Sequence, residues 1–208
     1  MQFELDDLGI QHTLNIVGHL DILQVIEGPP IVFLIDEKHH DQSIKINVLN
    51  ARELIKFASV EVIGVESHEG GFEWDESDET YYEEFNDGNI NNQQTNTCPE
   101  FANSLKELLI TNIYGVECRG MLNKIECDLF DQSLFDANSI VNHPLQLGRS
   151  KHFIQTLFGH KIRNNKKGNL LLNCGSNHNS HIEQWIKSGE INAITNHPAS
   201  YIRLNAFK

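Results

Sequence analysis

The chain has no apolar run near the ~20 residues that span a bilayer. Its opening residues, MQFELDDLGIQ, carry acidic side chains where a secretory leader needs a basic start and an apolar stretch. The expectation is a cytoplasmic protein with no membrane association. Positive charge is also scarce: 16 Lys and Arg face 29 Asp and Glu, for a formal charge of −13. That balance repels phosphate backbones. The basic cluster Arg163 to Lys167 is too small to reverse it, so nucleic acid is not expected as a partner. Cysteine is sparse and scattered: Cys98, Cys118, Cys127 and Cys174 form no C-x-x-C pair. This argues against a zinc ribbon or a thioredoxin-type centre and leaves small buried residues with free thiols as the expectation. Without a G-x-S-x-G elbow, a Walker loop or a G-x-G-x-x-G turn, the standard serine-hydrolase, nucleotide and dinucleotide readings have no support.

What is present is enough apolar residue for a core, 39% of 208 residues, which suits a single α/β domain over 1–208. Ile31 to Ile35 is an unbroken β-branched and aromatic run after the breaker Gly28-Pro29-Pro30, and reads as a strand buried on both faces. A helix follows, capped by Asp41 or Ser43 and running to about Ala58, with Ile44, Val48, Ala51, Ile55 and Ala58 near helical spacing. The strand Val60 to Val65 then completes a β-α-β unit with parallel strands. From about 67 to 98 the pattern breaks into an insertion rich in Asp, Glu, Asn and Gln, with Phe72, Trp74, Tyr81, Tyr82 and Phe85 among them.

After Pro99 a helix to about Leu109 leads to a strand over Asn112 to Glu117. An amphipathic helix is expected over Gly148 to about Arg163, a second fully apolar strand over Leu170 to Cys174, a helix from about Asn179 to Lys187, and a last strand over Ile191 to Thr195. The fold class is therefore α/β, a mostly parallel central sheet with helices on both faces. Strand, x-x-x-His, helix, strand occurs twice, and Gly64-Val65-Glu66 is echoed by Gly115-Val116-Glu117. Duplicated β-α-β halves are one explanation and chance recurrence is the other.

In an open parallel sheet, ligands bind beyond the carboxyl ends of the strands. Glu37 and His39 follow the first strand, Glu66 and Glu117 end two others, and His178 follows the strand that stops at Gly175. Two imidazoles and up to three carboxylates from separate segments are the donor mix of a divalent cation such as manganese, zinc or cobalt, which would lower the pKa of a bound water. His40 and His68 stand near the same edge as alternatives to His39, and His181 lies one helical turn beyond His178. Arg149 is suited to grip a carboxylate bidentately, that of a substrate, of Glu66 or of Glu117.

These residues resemble the superfamily that groups TraB and Tiki proteins, erythromycin esterases and ChaN-like haem-binding proteins. Its members share a strand ending in Gly-Glu-x-His or Gly-x-x-His, a strand ending in Glu, and a late Gly-x-x-His. Here the first motif is Asp36-Glu37-Lys38-His39, with Asp where the family carries Gly. The strand-end acid is Glu66, the late motif is Gly175-Ser176-Asn177-His178, and Arg149 stands where an arginine often opens the preceding helix. The likeness spans about Ile31 to Pro198. It implies a hydrolase acting on an ester or amide bond of a small molecule or peptide, metal-assisted or working through His and Glu as general base. His39 and His178 would be ligands or base, Glu37 and Glu66 ligands or proton acceptors, and Arg149 would orient an anionic group. The same kinship includes haem binding, and a non-catalytic module that uses the acidic insertion to hold a basic partner is the alternative from outside the enzymes.

Overall fold

The computed structural model describes residues 2–28, 30–38, 41–66, 69–71, 101–102, 104–105, 112–131 and 137–206. The chain starts with β1 (Gln2–Leu5) and β2 (Ile10–Asn15), an antiparallel pair, then β3 (His19–Gln24), β4 (Ile31–Glu37), α1 (Asp41–Phe57) and β5 (Val60–Val65). The short β6 (Glu69–Gly71) and β7 (Ile113–Val116) follow, then α2 (Arg119–Asp131), α3 (Ala137–Val141) and α4 (Leu145–Arg163). The fold closes with β8 (Asn169–Gly175), α5 (Ser176–Ser188), α6 (Ile191–Thr195) and β9 (Ser200–Asn205).

Seven strands form one sheet in the order β3-β9-β4-β8-β5-β7-β6. The five central strands are mutually parallel, and β3 and β6 pair antiparallel at the two edges. β4 is buried at every position, as a central strand covered on both faces must be. On one face Phe33, Ile35, Ile63, Val65 and Leu171 pack under Ile44, Val48, Ala51 and Leu54 of α1. On the other, Val32, Leu34, Val62, Leu170 and Leu172 pack under Phe153 and Leu157 of α4 and Ile182 and Ile186 of α5. Helices thus cover both faces of a mostly parallel sheet, the architecture expected from the alternating apolar runs. Among the described residues, no helix is long and apolar enough to cross a membrane.

The path from β4 through α1 to β5 steps over β8, and the path from β8 through α5 and α6 to β9 steps over β4 in the opposite direction. The two connections leave on opposite faces of the sheet, α1 on one and α5 on the other, so the loops after β4 and β8 part there, the kind of switch point where open α/β sheets leave a crevice at their carboxyl ends. Neighbouring loops on opposite faces occur in any doubly wound sheet, so this does not establish duplicated halves. The two Gly-Val-Glu tripeptides lie on neighbouring strands but one residue out of register, with Val65 opposite Gly115.

Two expectations are corrected. Residues 191–195 form the helix α6, not the last strand: Ile191 and Thr195, one turn apart, are both buried, and the Thr195 hydroxyl lies 3.0 Å from the Ile191 carbonyl oxygen. A short apolar run does not distinguish the two states by its spacing, and the place beside β4 belongs to β9, with Tyr201, Ile202 and Leu204 buried. The cysteines also differ from one another: Cys174 is buried, Cys118 half-buried and Cys127 exposed, all with free thiols, while Cys98 lies outside the described residues. The acidic insertion lies outside them as well, apart from the β6 backbone.

One glycine sets how closely α4 approaches the sheet. A Cβ on Gly64 would stand 2.8 Å from Val116 Cγ1 and 3.0 Å from Leu157 Cδ1. The bare backbone lets Leu157 settle on β5, and the amino-terminal turns of α4 are thereby brought over the strand ends.

Candidate functional site

Register alone assembles the carboxyl edge. Glu37 is level with Gly175, and Val65 is level with both Asn173 and Gly115, so Glu37, Glu66, Glu117 and the start of α5 line one edge across four neighbouring strands. Three of these groups are drawn together by α4. Arg149, in its second turn, donates from Nε to Glu117 Oε1 at 3.0 Å and from Nη2 to Glu117 Oε2 at 2.5 Å. Nη2 also reaches Glu66 Oε1 at 3.3 Å, and Nη1 donates to Gln146 Oε1 at 2.7 Å. The guanidinium is therefore committed to the protein's own carboxylates. Arg149 is buried, as are Glu66 and Glu117. Burial weakens its charge, but the bond to Glu117 and the fields of Glu117 and Glu66 outweigh that and hold its pKa above the ordinary value.

Glu66 joins this pair to α5. Its Oε2 accepts the Gly175 N–H at 2.6 Å, which sets a carboxylate at the positive end of the helix dipole. α5 begins at Ser176, three residues earlier than the spacing suggests, so His178 sits in its first turn. From there His178 Nε2 comes within 3.4 Å of Glu66 Oε1, and its ring lies 4.7 Å from that of Phe153. On the other side of the ring, Nδ1 is 2.8 Å from Ser150 Oγ, and the same hydroxyl is 2.8 Å from Nδ1 of His181. His181 is half-buried, and burial together with the nearby His178 lowers its pKa.

Glu37 faces the other side of the sheet. Its Oε2 accepts from Asn47 Nδ2 on α1 at 3.0 Å and lies 3.4 Å from Asn173 Nδ2, and its Oε1 accepts the Lys38 N–H at 3.0 Å. Asp36, one residue earlier, points to the α5 face and pairs with Arg203, Nη2 to Oδ2 at 2.9 Å, while Arg203 Nη1 holds Glu183 at 2.6 Å. His39, His40 and His68 lie outside the described residues. The structure thus brings Glu66, Glu117, Arg149 and His178 together and places Glu37 apart, on the α1 face.

A divalent cation needs several donor lone pairs turned to one point. Among the described residues no group of three or more His, Cys, Asp or Glu is so placed. Glu117 is occupied by Arg149 and by the Cys118 N–H, and Glu66 is shared by Arg149, Gly175 and His178. The described side chains, as arranged, do not fit a metal.

Sequence reasoning missed Ser150 and Gln146. Both lie on the buried stripe of α4 that continues into Phe153 and Leu157, so polar residues heading an apolar stripe were the available signal. The Asp36–Arg203–Glu183 network was missed because Arg203 belongs to a strand that was not expected. Fold and site together define a doubly wound α/β domain with a buried carboxylate, arginine and histidine network at the carboxyl edge. No family model matches the sequence, and no curated protein or solved structure matches it.

Proposed function

We propose that the carboxyl edge is the active site of a hydrolase that cleaves an ester or amide bond in a small molecule or peptide, after the manner implied by the TraB, Tiki and erythromycin-esterase likeness. The observation that carries this reading is the placement of His178 Nε2 3.4 Å from Glu66 Oε1, with both residues buried beside the switch point. Buried charges that could be replaced by apolar side chains at no loss of stability call for a reason other than folding. Glu66 is the proton acceptor for an attacking water, and His178 takes that proton onward. Arg149 and Glu117 hold Glu66 in place and balance its charge, so Arg149 acts on the protein's own acid and not on a substrate anion.

The metal-assisted form of the reading, with manganese, zinc or cobalt on Glu37, His39, Glu66, Glu117 and His178, requires Arg149 to leave the two carboxylates. Hydrolysis of a panel of esters, lactones and peptides should be lost in Glu66→Gln and in His178→Ala while cooperative unfolding is retained. Turnover unchanged in both variants would sink the proposal. Stoichiometric metal in protein purified without chelators, lost in His39→Ala together with turnover, would overturn its metal-free form.

A further inference from the structure

Ser150 has three partners, which its one proton and two lone pairs can serve in more than one way. Its Oγ is 3.0 Å from the Gln146 carbonyl oxygen and 2.8 Å from Nδ1 of both His178 and His181. A hydroxyl donates once and accepts twice. If the proton goes to Gln146, both imidazoles must donate through Nδ1–H. A neutral His178 would then turn a bare Nε2 lone pair toward the Glu66 carboxylate. With the proton turned to His178 Nδ1 instead, His181 donates its Nδ1–H to Ser150 and His178 presents Nε2–H to Glu66. One line of donors and acceptors then runs from half-buried His181 through buried Ser150 and His178 to buried Glu66, whose Oε1 lies 3.4 Å from His178 Nε2, and the Gln146 carbonyl gives up the hydroxyl.

We propose that Ser150 and His181 are positioning residues that connect the Glu66–His178 pair to solvent protons through this line. The proposal rests on Glu66 and His178 being the acid–base pair of the edge. A proton from water binds His181 Nε2. The Nδ1–H of His181 passes to Ser150 Oγ as the hydroxyl proton passes to His178 Nδ1. The Nε2–H of His178 then passes to Glu66. One proton has left solvent and one has reached the carboxylate, with no bond made or broken except to hydrogen. The line then points the opposite way, ready to carry a proton outward from Glu66. The charged and titratable groups facing His178 are Glu66 at the end of β5, Arg149 on α4, which shares Glu66 Oε1, and His181 on its own helix. His181 faces Ser150 of α4 and His178.

The test uses the full chain labelled with 15N-histidine and follows the exchange of the His178 ring N–H with water by NMR. In Ser150→Ala and, separately, in His181→Phe, that exchange should slow about tenfold, equivalent to about 1.4 kcal/mol on the barrier. Loosened packing works in the opposite direction, since local opening speeds exchange of buried protons. His178 exchanging at the wild-type rate or faster in either folded variant overturns the proposal. Should Ser150→Ala fail to fold, the half-buried His181→Phe decides the outcome alone. The readout needs no substrate, so loss of the hydrolase reading through unchanged turnover in Glu66→Gln is distinguishable from loss of the relay.

Discussion

Arg149 meets Glu117 side-on, Nε to Oε1 at 3.0 Å and Nη2 to Oε2 at 2.5 Å, with the two side chains 5% and 0% exposed. At that depth the pair is required less for net stability than to avoid an unpaired charge. Removing one partner leaves the other buried and unpaired, at about 3–5 kcal/mol, whereas replacing both with apolar groups is often neutral. Arg149→Met should therefore lower the urea-unfolding free energy by about 3–5 kcal/mol, and adding Glu117→Leu should restore part of it, since Glu66 still lacks its cation. Equal destabilisation by the single and the double variant would show that the pair contributes through packing.

Asp36 gives a pH dependence of opposite sign to the usual carboxylate. Burial raises its pKa above 3.8 and outweighs the lowering by Arg203 and Asn179. The folded state thus holds this proton more tightly than the unfolded one. Its contribution is fully present below pH 3.8 and is lost as pH rises through the folded value. Relative to wild type, Asp36→Asn should gain stability as pH climbs through that window. Unfolding free energies measured from pH 4 to 7 check the sign of the slope.

Two histidines shape the acid side of the stability curve. His160 is held below its ordinary value of 6.5 by burial and by Arg163, and His181 below 6.5 by burial and by His178. Each favours the neutral form in the folded state. The associated stability is present above pH 6.5 and is lost as pH falls through the lowered values. His160→Gln should flatten the fall in unfolding free energy below that pH. A fall as steep as in the wild type would assign the whole effect to other groups.

The parts legible in the sequence are those fixed by burial on both faces. β4, β5 and β8 announce themselves as apolar runs and β7 as the strand ending in Gly115-Val116-Glu117, and the residues that follow them are held at the carboxyl edge by strand geometry, which is why Glu66, Glu117 and His178 could be anticipated there. β2 could not be read: Ile10 and Leu14 are buried with three exposed residues between them, a spacing with no alternation. Ser150 was illegible for a different reason. Its partners sit 28 and 31 residues away on another helix, so its role exists only once α4 and α5 have packed. Arg149 was half legible, since its chemistry named carboxylates but only the fold chose Glu117 and Glu66 over a substrate.

Gly64 links the core to the site. The added Cβ of Gly64→Ala would meet Val116 Cγ1 at 2.8 Å, Leu157 Cδ1 at 3.0 Å and Leu172 Cδ1 at 3.2 Å, so α4 must lift or its side chains must leave their rotamers. Overpacking of this kind costs about 1–3 kcal/mol. Leu157 lies two turns beyond Ser150 and Arg149 on the same buried stripe, so a lifted helix also lengthens the contacts from Ser150 to His178 and from Arg149 to Glu66. Gly64→Ala should lower the unfolding free energy by that amount and shift the His178 ring signals, although residue 64 touches neither imidazole nor carboxylate. The same loss of stability with His178 unmoved would mean that β5 yields and α4 stays, and the site would then be held by α5.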